Sequence, residues 1–143
     1  MSASISPCIR RASSASDAAS IALLESAIAK GTPLGTVCHG PAALRHVNGP
    51  DGKPYVNGKS ATGFSNSEEK EFGTADIFPF LVEDMLKQNG GRYSSGATWK
   101  SHVVEDGLLV TGQTPPSPLD AGRGLLALVA RPVGQGDAFL YLF

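Results

Sequence analysis

The run Leu34-Gly35-Thr36-Val37, followed at once by Cys38-His39-Gly40-Pro41, narrows the available folds more than any other segment of the chain. A short apolar run bounded by turn residues reads as a buried strand. Pro41 suits the first position of a helix, where its missing N–H has no partner to lose. Ala42, Ala43 and Leu44 continue that helix and Asn48-Gly49 closes it. Upstream, Asp17 can cap a helix in which Ile21, Leu24 and Ile28 recur at helical spacing. Lys30 falls in its last turn, Gly31 stops it, and Thr32-Pro33 breaks the chain. Helix, buried strand, sharp turn and helix make the rhythm of an α/β sheet protein.

Beyond this unit the pattern changes. Asn57-Gly58 separates Pro54-Tyr55-Val56 from Lys59-Ser60-Ala61-Thr62, which reads as a small hairpin. Glu68-Glu69-Lys70-Glu71 reads, on composition, as a solvated helix start. A helix is expected from Asp76 to Gln88, with Phe78, Leu81, Val82, Met85 and Leu86 on its apolar face and Gly90-Gly91 beyond its end. Val103-Val104, the Asp106-Gly107 turn and Leu108-Leu109-Val110 form a second hairpin, and Leu119 to Ala130 a last amphipathic helix. Three regions follow: a disordered leader over 1–16, a domain over 17–131 and an unassigned tail over 132–143. No internal repeat is present.

Composition bounds the function. The 143 residues carry a net charge of −1 with no long block of either sign, which removes the electrostatic basis for nucleic-acid binding. No apolar run approaches the roughly 20 residues needed to cross a bilayer, so no membrane partner is expected. Cys8 and Cys38 form no disulfide framework, and a reducing, cytoplasmic setting is the expectation. The first sixteen residues bear Arg10 and Arg11 and no acid, as organelle transit peptides do, but lack an amphipathic stripe, so targeting is the less favoured reading.

Cys38 is the candidate nucleophile. A strand-to-helix turn pushes a side chain clear of the backbone, and amides at a helix start favour thiolate over thiol and can hold an oxyanion. Gly40 removes the side chain that would crowd this approach. The strict elbow pattern has small residues two before and two after the nucleophile, and Thr36 departs from it mildly. Against this stand a buried, inert Cys38 and a His39 that merely faces solvent. A polar ring followed by two helix-start residues has no packing rationale, which favours chemistry. His46 and His102 read as surface-helix and strand residues, and Tyr93 and Trp99 as core or pocket wall.

Thr36-Val37-Cys38-His39-Gly40-Pro41-Ala42-Ala43-Leu44 resembles the ThiJ/PfpI superfamily of the class I glutamine amidotransferase-like fold. Four more segments are similar to its heat-shock, glyoxalase III branch: Gly58 to Asn66 with Glu68-Glu69, Pro79 to Asp84, Trp99 to Val104, and Asp106 to Gln113. The likeness runs from about residue 18 to residue 130. It implies a three-layer flavodoxin-like α/β sandwich with a parallel sheet. It also implies a triad of Cys38, His39 and an acid five residues after Phe64, which is Glu69. By this resemblance the activity is that of a D-lactate dehydratase, taking methylglyoxal or another small 2-oxoaldehyde to the hydroxy acid without glutathione, cofactor or metal. A homodimer is left open.

Two departures qualify the expectation. Members of the family carry about two further βα units and a second glutamate near the cysteine. Nothing in residues 1–35 supplies them, since Glu25 is mid-helix. The sheet is therefore expected to be truncated on its N-terminal side, with one edge of the Cys38 strand uncovered and little or no glyoxalase activity in the chain alone. That edge motivates a second reading, a non-catalytic holdase chaperone or interaction module. A cysteine peptidase, amidase or protein deglycase using the same triad is a third.

Overall fold

A computed structural model describes residues 16–130 and 140–142. Helix α1 (Ala18–Ala29) begins where expected, because the Asp17 carboxylate accepts from the Ser20 N–H at 2.8 Å and satisfies one of the amides left over at a helix start. It ends where Gly31 takes the left-handed conformation at φ 71°. Strand β1 (Leu34–Val37) follows and is buried at all four positions.

The sheet order is β4-β5-β1-β6, with β4 spanning Val103–Asp106, β5 Leu109–Gly112 and β6 Leu140–Leu142. The expected hairpin at Asp106-Gly107 forms the antiparallel pair β4–β5, with Gly107 at φ 62° supplying the turn. Strands β5 and β6 each run parallel to β1, Gly35 facing Val110 on one side and Tyr141 on the other. Strands β5 and β6 flank β1, and α4 (Pro118–Val129), close to the expected 119–130 helix, follows β5 in the chain.

Strand alternation divides the core. Leu34 and Leu109 join Leu24, Leu44, Met85 and Leu86 on one face of the sheet. Val37 and Val110 join Ala121, Leu125 and Leu128 of α4 on the other. Helical structure therefore covers both faces, the three-layer α/β arrangement expected.

Several expectations need correction. The edge of β1 opposite β5 is not uncovered: β6 pairs with it, within the stretch the sequence left unassigned. Pro54 to Thr62 is not a hairpin. Pro54 bridges Asn48, while β2 (Ser60–Ala61) pairs in parallel with β3 (Arg92–Tyr93). Proline brings no N–H to a ladder, and Gly58 donates its own to the Gly90 carbonyl at 2.9 Å, tying the turn to a distant segment. The helix expected over 76–88 begins only at Val82, as α3 (Val82–Gln88). Pro79 disfavours helical backbone at Phe78, and Leu81 is extended. The helix after Cys38 is a 3-10 helix of five residues, Gly40–Leu44, and does not reach Asn48. Apart from Ser16, the 1–16 leader with Cys8 lies outside the described residues, as does the tail apart from β6. Among the described residues no helix is long and apolar enough to cross a membrane.

Candidate active site

Cys38 leaves β1 in the left-handed region, at φ 62°. For a residue with a Cβ this conformation costs roughly 1–2 kcal/mol, so the surroundings must enforce it. They do so through both backbone groups. The Cys38 N–H donates to the Gly112 carbonyl at 2.9 Å, and its carbonyl accepts from the Phe64 N–H at 2.8 Å. The second bond requires close approach of the Thr62-Gly63-Phe64 segment. A Cβ on Gly63 would stand 2.6 Å from Val82 Cγ1 and 3.1 Å from Pro41 Cγ, so only glycine fits. The Tyr93 hydroxyl donates to the Gly63 carbonyl at 3.0 Å and pins the segment from its other side. Burial, chiefly, raises the Tyr93 phenol above its ordinary range and keeps it a donor.

The left-handed turn swings Cys38 and His39 alongside each other. His39 Nδ1 lies 3.4 Å from Cys38 Sγ, and its Nε2 lies 2.6 Å from Glu69 Oε1. Sequence reasoning named these three residues, and the fold brings them together. An ionised carboxylate only accepts, so Nε2 carries the proton toward Glu69 and Nδ1 faces the sulfur. The imidazole stacks at 4.4 Å from the Phe64 ring and 5.2 Å from Phe78, leaving 12% of its side chain exposed. Trp99 edges Phe64 at 5.9 Å, a wall residue as expected. Gly40 is buried at the head of the 3-10 helix. So short a helix carries little dipole, and the imidazole, with Nδ1 3.4 Å from the sulfur, is placed where it can stabilise a thiolate.

Glu69 sits on α2 (Asn66–Phe72), and here the expectation of a solvated acidic start is overturned for its neighbour as well. Glu68 and Glu69 are both buried. Glu68 closes a capping box: Ser65 Oγ accepts from the Glu68 N–H at 3.2 Å, and the Ser65 N–H donates to Glu68 Oε2 at 3.1 Å. Its other oxygen accepts from the Trp99 N–H at 3.0 Å, so Glu68 ties the loop bearing the Trp99 wall to the helix bearing Glu69. Burial alone would push the Glu68 carboxyl up. The hydrogen bonds from Trp99 and Ser65 outweigh it together and hold the carboxyl below its ordinary value. The Ser65-Asn66-Ser67-Glu68 spacing carried a readable signal for the cap, but none for Trp99.

The remaining histidines take no part in this network. His46 is exposed in a turn, and His102, just before β4 rather than within it, places Nε2 3.1 Å from Ser94 Oγ. Glu25 Oε1 accepts from the Asn48 N–H at 2.9 Å. Among the described residues no group of three or more His, Cys, Asp or Glu side chains could hold a metal.

No family model matches the chain. It is 32% identical over 104 residues to glyoxalase 3 of Candida albicans, covering 68% of this chain and 44% of that protein. The crystal structure of glyoxalase III from Candida albicans superposes with a TM-score of 0.61 at 31% identity, over 64% of this chain and 41% of that one. The glutathione-independent glyoxalase of Saccharomyces cerevisiae is 36% identical over 95 residues, covering 62% of this chain and 40% of that protein. The rapid encystment protein of Francisella tularensis gives a TM-score of 0.73 at 37% identity, over 77% of this chain and 49% of that one. The chain thus spans less than half the length of each of these relatives.

Proposed function

We propose, from the premise that the chain belongs to the ThiJ/PfpI superfamily, that Cys38 is the nucleophile of a glutathione-independent glyoxalase site acting on small 2-oxoaldehydes such as methylglyoxal. The observation that carries the reading is the continuous line from Cys38 Sγ through both nitrogens of His39 to Glu69, at 3.4 Å and 2.6 Å. It has the order of a nucleophile, a base and an orienting acid.

The chemistry follows from these groups. Cys38 sulfur adds to the aldehyde carbon, forming a C–S bond, and the former carbonyl oxygen takes a proton from His39, giving a hemithioacetal. The hydrogen on that carbon then leaves as a proton, and an enediol forms. Reprotonation at the neighbouring carbon yields a thioester of the hydroxy acid. Water adds to the thioester, the C–S bond breaks, and D-lactate departs with the thiol restored. The oxidation of one carbon offsets the reduction of the other, so no redox partner enters.

Carbon–proton abstraction is the demanding step. Within the described site His39, whose Nδ1 lies 3.4 Å from the Cys38 sulfur, is a base within reach of it. The same imidazole serves addition and carbon–proton abstraction, so abstraction should limit turnover. Methylglyoxal should protect Cys38 reversibly from iodoacetamide, as a hemithioacetal does, with release of D-lactate, and Cys38→Ala should abolish that release. A folded protein showing neither protection of Cys38 nor Cys38-dependent D-lactate would refute the reading.

A further inference from the structure

Resting on the reading of Cys38, His39 and Glu69 as one relay, we propose that Thr74 is a positioning residue for it, fixing the Glu69 carboxylate through the oxygen that His39 does not use. Glu69 Oε1 meets His39 Nε2, and Oε2 accepts from the Thr74 hydroxyl. The backbone prepares this contact. Gly73 ends α2 in the left-handed conformation at φ 76° and turns the chain back on the helix. The Thr74 N–H then donates to the Glu69 carbonyl at 3.0 Å, so Thr74 reaches residue 69 twice, once through its backbone and once through its side chain.

Two anchors do what one cannot. The terminal torsion of a glutamate is broad, so a carboxylate held by one oxygen retains freedom to rotate. Glu69 is 1% exposed, which leaves little access for water to take up the second oxygen. The imidazole cannot follow a rotating carboxylate, because Phe64 and Phe78 pack against its ring. The plane of the carboxylate must therefore be set independently, and the Thr74 hydroxyl sets it. A purely structural role, satisfying a buried oxygen, would change stability and leave the reactivity of the folded thiol alone.

Because the backbone bond does not depend on the side chain, Thr74→Val removes the hydroxyl at nearly constant shape and Thr74→Ser retains it. The experiment is iodoacetamide alkylation of Cys38 in the full chain across pH, resolved from Cys8 by peptide mass spectrometry and paired with thermal melts. Variants are Glu69→Gln, Thr74→Val and Thr74→Ser. Near pH 6.5, Thr74→Val should slow alkylation about threefold to tenfold, in the direction of Glu69→Gln, as expected for losing a hydrogen bond to a charged group. Thr74→Ser should recover most of the rate. If Thr74→Val does not fold, Thr74→Ala removes the same hydroxyl and is compared with Thr74→Ser in its place. A valine or alanine profile matching the parent, while Glu69→Gln slows, overturns the role of Thr74 and leaves the relay standing. Equal slowing in serine and valine also overturns it, since packing and not the hydroxyl would be responsible. No change in Glu69→Gln overturns the relay itself.

Discussion

Cys38 and Glu68 are both held in states that an isolated side chain avoids, one in left-handed backbone and the other as a buried carboxylate. His39→Ala removes the group that can accept the thiol proton, and iodoacetamide labelling of Cys38 near neutral pH should slow by about 10²-fold or more. Glu68→Gln keeps the shape but loses charge-assisted bonds to the Ser65 and Trp99 amides. An expected cost of about 1–3 kcal/mol can be read from urea unfolding. The pH dependence follows from the lowered Glu68 carboxyl. Its stabilisation is complete above the unfolded value near 4.5 and is lost as pH falls through the lower folded value. The stability gap between parent and Glu68→Gln should therefore hold at neutral pH and shrink in acid below about 4.5. A gap unchanged down to pH 2 would remove Glu68 from this role.

Individual elements show why periodicity went only part of the way. Helix α1 and the β4–β5 hairpin are local events, fixed by a cap and by a glycine turn a few residues long, and both were readable. The first half of the helix expected over 76–88 and the hairpin expected over 54–62 do not form, and both failures turn on proline. In each case the freed residues serve distant partners: Phe78 packs on His39, and Ser60-Ala61 pairs with β3. The segment between β2 and α2 is the element on which the site depends, and Gly63 is its point of contact. Gly63→Ala would press a methyl into Val82 and Pro41 and should cost about 1–3 kcal/mol. Because Phe64 would shift with it, labelling of Cys38 should slow as well. A variant of unchanged stability and reactivity would show that the segment has slack.

At the scale of the molecule, β6 is the decisive addition. It gives β1 a second parallel neighbour, in register from Leu34 opposite Leu140 to Thr36 opposite Leu142. Without it the nucleophile strand would present an open edge of amides and carbonyls. Removing residues 131–143 should lower unfolding stability by about 2 kcal/mol, at roughly 1 kcal/mol per backbone bond lost, and promote self-association visible by light scattering. A shortened chain as stable and as monodisperse as the parent would contradict this account of the sheet.

The primary structure determined whatever short range can encode: the α1 cap, the apolar β1 run, the Cys38-His39-Gly40-Pro41 turn, the 106–107 hairpin and the α4 stripe. With the family likeness it also picked out Cys38, His39 and Glu69, because a nucleophile and its base are adjacent and the acid keeps a fixed distance from Phe64. The folded chain alone decided the burial of Glu68, the second anchor on Glu69, the walls around His39 and the strand that covers β1. Each of these joins residues through a backbone group or a side chain brought close by chain reversal. Hydrogen bonds of that kind leave no period and no composition behind in the order of amino acids.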